Sequence, residues 1–102
     1  MQQFRHGDVF LREVAALPAE AVKAERSGDV ILAYGEVTGH AHRIKSTSVT
    51  LWNVGEQRYI TVESPSDLTH EEHHTIELPV GTFEVIQQRE YDDELSTRAV
   101  AD

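Results

Sequence analysis

The sequence predicts an all-β fold, a small single-domain β-barrel or sandwich, and three observations predict it. Short apolar or alternating runs recur along the chain. Glycine- or proline-containing breaks separate about seven such runs at roughly ten-residue spacing. Only one stretch, near residues 18–25, is rich in helix formers. At 102 residues the chain can bury one modest core. Barrel closure would also hide sheet edges that so small a domain could not otherwise protect.

The elements follow in order. Val9–Val14, after Gly7-Asp8, has the composition of a first strand. Residues 18–25 hold at most one short helix, with Pro18 in its first turn, or an irregular crossing. Val30–Tyr34 is an apolar run that suits a buried strand. Gly35 and Gly39 bracket the next three residues, and an extended pattern resumes over His40–Lys45 and Val49–Val54. Gly55, in the permissive position of Asn53–Gln57, marks a hairpin loop leading into Arg58–Glu63, where Tyr59-Ile60-Thr61-Val62 has high strand propensity. Ser64-Pro65-Ser66-Asp67 is the clearest interior break. Thr75–Leu78 alternates as a short strand ended by Pro79, and Gly81 introduces a last strand over Thr82–Tyr91. The β domain thus spans residues 1–91, and residues 92–102 form an acidic, flexible tail.

Composition narrows the function. There is no cysteine, so disulfides, thiolate metal sites and a cysteine nucleophile are excluded, and any metal must be held by nitrogen and oxygen. A net charge of −9 repels phosphate backbones and argues against nucleic-acid binding. No apolar run is long enough to span a bilayer, which argues against a membrane partner. The N-terminus lacks a signal-peptide core, so the expected compartment is the cytoplasm. Neither a phosphate-cradling glycine loop nor a nucleophile elbow is present.

Five of the six histidines fall into two clusters, Gly39-His40-Ala41-His42-Arg43 and Thr69-His70-Glu71-Glu72-His73-His74. Neutral imidazole is the commonest ligand for transition metals. On an extended strand His40 and His42 share a face with Ile44, aiming both rings into one space. In the second cluster an extended chain groups His70, Glu72 and His74, whereas a turn brings His70 to His73. The zincin pattern His-Glu-x-x-His is not met, because the second histidine falls one position early or lacks a helix. The expected ligands are His40, His42, His70 and His73, with Glu72 or His74 as alternatives. Glu71 and Glu72 are weaker candidates for a general base on metal-bound water, against a plainer role as a solvated acidic pair. Asp8 is expected to be a turn residue. The plain alternative for the histidines is a solvated or pH-responsive surface.

Gly35–His42 resembles the first motif of the cupins, small β-barrels in which a glycine precedes His-x-His, with a gap here one residue short. Pro79-Val80-Gly81 is similar to their second motif. However, Glu84 stands where its histidine is expected, and no acid follows His42 before Gly55. Two of the usual four ligands therefore map, His40 and His42. Gly7-Asp8-Val9, Gly35–Ile44, His70–His73, Leu78-Pro79-x-Gly81 and Gln88-Arg89-Glu90-Tyr91 also resemble a set of short bacterial and phage proteins without an assigned activity. That resemblance implies that both clusters, through His70 and His73 rather than His74, belong to a shared pattern.

The sequence therefore predicts a small protein that binds one divalent transition metal (Zn²⁺, Fe²⁺, Ni²⁺ or Mn²⁺) at a two-cluster histidine site. Three protein ligands would leave a position for a metal-dependent, cupin-like enzyme and a small-molecule substrate. The rival readings are a non-catalytic binding or accessory module with a protein partner, whose metal is structural or absent, and a metal carrier or sensor. A homodimer and a monomer are equally consistent with the residues.

Overall fold

A computed structural model of the chain describes residues 1–25, 28–35 and 39–88. The tail expected at 92–102, residues 36–38 of the first glycine-bracketed segment and residues 89–91 of the last strand lie outside the described residues. Among the described residues ten strands follow one another: β1 (Gln3–His6), β2 (Val9–Val14), β3 (Val22–Lys23), β4 (Val30–Tyr34), β5 (Ala41–Ile44), β6 (Val49–Val54), β7 (Gln57–Val62), β8 (Ser66–Thr69), β9 (Ile76–Leu78) and β10 (Gly81–Gln87). They form two antiparallel sheets, one ordered β1-β2-β10-β7-β6-β3 and the other β4-β5-β8-β9. The architecture is a sandwich rather than a closed barrel: each sheet keeps its own edges, and the two bury a shared core.

Alternation along the strands builds that core. In the larger sheet Val9 and Leu11, Phe83 and Val85, Ile60 and Val62, and Val49 turn inward. Val30, Leu32, Ile44, Leu68 and Leu78 meet them from the smaller sheet. The Arg58 guanidinium reaches across the layers and donates to the Leu32 carbonyl at 2.6 Å. On the outer face of the larger sheet Arg12 pairs with Glu84, and Trp52 Nε1 donates to Thr61 Oγ1 at 3.0 Å.

Over residues 18–25 the chain takes the irregular crossing rather than the one short helix that the sequence allowed, and it departs from the sequence reading at two other places. No helix occurs among the described residues. Ala21 closes one turn onto the Pro18 carbonyl, but Val22 and Lys23 then pair with Asn53 and Trp52 as an edge strand. A segment this short cannot recover the cost of helix nucleation, and sheet partners are at hand. The break at Ser64–Asp67 is shorter than expected, because β8 begins at Ser66, which is buried against the core. Pro65 marks the crossing from the larger sheet to the smaller. The first strand is preceded by another, β1, paired to β2 through the two-residue loop Gly7-Asp8.

Candidate metal centre

Strand register brings distant histidines to one end of the sandwich. Within β5, His42 shares the inner face with Ile44, and its ring is only 2% exposed. Strands β5 and β8 pair Ile44 with Leu68 and Arg43 with Thr69. One more step sets His70 beside His42, with ring centroids 4.4 Å apart. The chain then bends at residues 71–73 and returns His73 to within 4.6 Å of the His70 ring and 5.5 Å of the His42 ring. From the opposite sheet, the pairing of His6 with Val9 turns His6 inward. Its ring meets His42 edge to face at 4.9 Å.

Gly7 lets the two sheets close on this cluster. Its φ of +62° lies in the left-handed region that favours glycine. A Cβ there would also stand 2.7 Å from His73 Nε2 and 2.9 Å from His42 Cε1. Backbone geometry and ring packing both require the missing side chain.

The hydrogen bonds assign the protons. The His74 carbonyl can only accept, so His6 Nε2, 2.7 Å away, carries a hydrogen. In the uncharged ring His6 Nδ1 is then an acceptor, and it receives the Nδ1–H of His42 at 2.8 Å. When the His42 ring is uncharged, its Nε2 then bears the lone pair, 3.0 Å from Asp8 Oδ1. Burial, reinforced by the neighbouring His70 and opposed by Asp8, lowers the His42 pKa to about 4. Burial also lowers the pKa of His6, against the pull of the His74 carbonyl. At neutral pH the contact between His42 and Asp8 is therefore not an ion pair.

One donor atom from each of His42, His70 and His73 lies within 4.8 Å of the others, a group that could hold a metal ion. Nitrogens bound to one ion at about 2.0–2.1 Å stand roughly 3.0–3.4 Å apart. Ligation thus asks for inward movement on the order of 1 Å, which the exposed His73 can supply from its bent loop. His42 is buried, His70 half-buried and His73 exposed, so the group opens to solvent on one side. His70 Nδ1 accepts the Glu72 amide at 2.9 Å.

The other residues singled out by sequence take different partners. His40 precedes β5, and its carbonyl accepts the Gly35 amide at 2.8 Å. Its ring lies 5.9 Å from that of His70, but its Nδ1 bonds Glu72 Oε2 at 2.8 Å. His40 and Glu72 thus form a pair beside the three-histidine group rather than part of it. Glu71 accepts the Ala41 amide at 3.0 Å, and this bond, its own amide and Arg43 hold its carboxyl below the usual range. It tethers the histidine loop to β5. The His74 side chain is exposed, and what this residue gives the cluster is its carbonyl. Sequence reasoning missed His6, the one histidine outside both clusters, and took Asp8 for a turn residue only. The sole sequence signal for either was their place flanking Gly7.

A comparison with protein families matches residues 5–88 to the family described as Domain of unknown function (DUF8820). No curated protein and no solved structure matches the chain. The matched span runs from before His6 to beyond β10 and contains every residue of the histidine cluster. The chain belongs to the DUF8820 family of domains of unknown function.

Proposed function

We propose that this protein binds one divalent transition metal through His42, His70 and His73. The observation that carries the reading is their convergence: donor atoms from two distant segments come within 4.8 Å of one another at one end of the sandwich. Uncharged imidazoles without sulfur suit Zn²⁺, Fe²⁺, Ni²⁺ or Mn²⁺. The depressed pKa of His42 favours binding, because the lone pair stays free of protons well below neutral pH.

The test is metal content of tag-free protein purified without chelator, followed by Zn²⁺ titration of the stripped protein. The His70→Ala/His73→Ala variant serves as control, since both residues lie outside the core. About one equivalent of a single metal in the wild type, lost in the variant, is the expected result. Stripped protein that stays folded and takes up none of the four metals sinks the reading.

A second reading, an accessory module with a structural metal, is favoured by the position of the cluster. His42 belongs to the smaller sheet and contacts His6 of the larger one, so a metal there would staple the open end of a small core. The enzyme reading rests on the exposed side of His73, where a metal would keep room for an exchangeable ligand. Thermal melts with and without metal separate the two. A structural ion raises the midpoint steeply, and its removal opens the β1–β2 end.

A further inference from the structure

We propose that Asp8 is a carboxylate ligand of the same metal, bound beside His42; this inference rests on the metal reading of the histidine group. His74 carbonyl, His6 and His42 are linked by two bonds that place a hydrogen on His6 Nε2 and another on His42 Nδ1. His42 Nδ1 is thus taken by His6, so Nε2 is the nitrogen left for a metal, and Asp8 Oδ1 stands beside it with lone pairs to offer. The two atoms lie 3.0 Å apart. A cation bound at Nε2 would meet both.

The spacing fits such an ion. Two donors each about 2.1 Å from one metal, at an angle of roughly 90°, stand about 3.0 Å apart. That is the separation between His42 Nε2 and Asp8 Oδ1.

The carboxylate is also held in place. Asp8 Oδ2 accepts Gln87 Nε2 at 3.0 Å, and the Asp8 carbonyl accepts the Gln88 amide at 2.9 Å. Its other oxygen is thereby aimed at His42 from the two-residue hairpin loop. His6 occupies the outer partner position that orients a metal-binding imidazole, since it takes the Nδ1–H and leaves Nε2 as the ligand atom. With Asp8 drawn in to the three histidines, whose 4.8 Å group does not include it, the site becomes three imidazoles and one carboxylate from the β1–β2 loop, β5 and the β8–β9 loop.

The experiment compares wild type with Asp8→Asn at pH 7.5, using Zn²⁺ in competition with a chromophoric chelator and Co²⁺ followed by visible absorption. The asparagine oxygen can still accept Gln87 Nε2, and its amide can donate to His42 Nε2. The variant should therefore fold as wild type does. Zn²⁺ affinity should fall by about 10–100-fold, and the Co²⁺ bands should shift as a carboxylate leaves the coordination sphere. Equal Zn²⁺ affinities and superimposable Co²⁺ spectra would overturn the assignment of Asp8 while leaving the three histidines intact. Wild-type protein that binds neither metal would remove the site itself, an outcome distinguishable from the loss of Asp8 alone.

Discussion

His6 and His42 meet Nδ1 to Nδ1 at 2.8 Å across the two sheets, and one hydrogen serves both rings. The bond orients His42, but it also holds the end of the sandwich closed, since His6 continues to the His74 carbonyl. Phenylalanine at position 6 would keep much of the packing and leave both partners without a mate. His6→Phe is expected to lose about 1–3 kcal/mol of unfolding free energy, read from urea denaturation of metal-free protein. A variant within experimental error of wild type would mean that the bond is not made in solution.

Stability should depend on pH with a definite sign. His42 titrates near its ordinary value of about 6.5 when unfolded and at about 4 when folded. Between those values the unfolded chain binds the extra proton, so acid favours unfolding. The contribution is fully present above pH 6.5 and declines as pH falls towards 4, by on the order of 3 kcal/mol for His42. His6 is shifted in the same direction. Denaturation of metal-free protein at a series of pH values should show this slope, and His42→Gln should flatten it. A wild-type profile that is level from pH 7 to 4.5 would contradict the buried, uncharged state of these rings.

The elements legible in the sequence were those whose signal is local. Tyr59-Ile60-Thr61-Val62 and the Gly55 hairpin follow from propensity and turn chemistry, and both stand as β7 and its link to β6. The convergence of His42 and His70 depends on the pairing of β5 with β8, strands separated by an entire hairpin, and no local pattern encodes that register. Alternation put His40 on the same face as His42, but β5 starts only at Ala41. Its ring is free to turn to Glu72. His6 and Asp8 acquire partners only when the two sheets close on each other. A lone histidine and a turn aspartate carry no sign of that in one dimension.

Gly7 offers a test that separates site geometry from fold stability. An alanine Cβ would strike the exposed tip of His73 and the buried ring of His42. His73 can swing outward at little cost, whereas His42 cannot. Gly7→Ala also pays for its left-handed backbone by about 1–2 kcal/mol. The variant is expected to fold with that modest loss and to bind Zn²⁺ at least 10-fold more weakly, because the three rings can no longer close on one ion. Titration and melting of the same samples check both halves. Unchanged Zn²⁺ affinity would show that His73 is not needed at the ion.

Metal binding should break one particular hydrogen bond, that from the Glu72 amide to His70 Nδ1. If the ion takes Nδ1, the amide is displaced directly. If it takes Nε2, the neutral ring must carry its hydrogen on Nδ1, where it would face the amide hydrogen. Either route gives up the bond, at a cost of about 1 kcal/mol, and frees the bend that carries His73. The amide resonance of Glu72 should therefore move and its hydrogen exchange quicken on Zn²⁺ addition. The Ala41 amide, held by Glu71 at the base of the same loop, should stay protected. A Glu72 amide that remains protected in metal-loaded protein would exclude His70 from the ligand set. Loss of protection at both amides would mean that the whole loop leaves β5, a motion that the Glu71 tether is built to prevent.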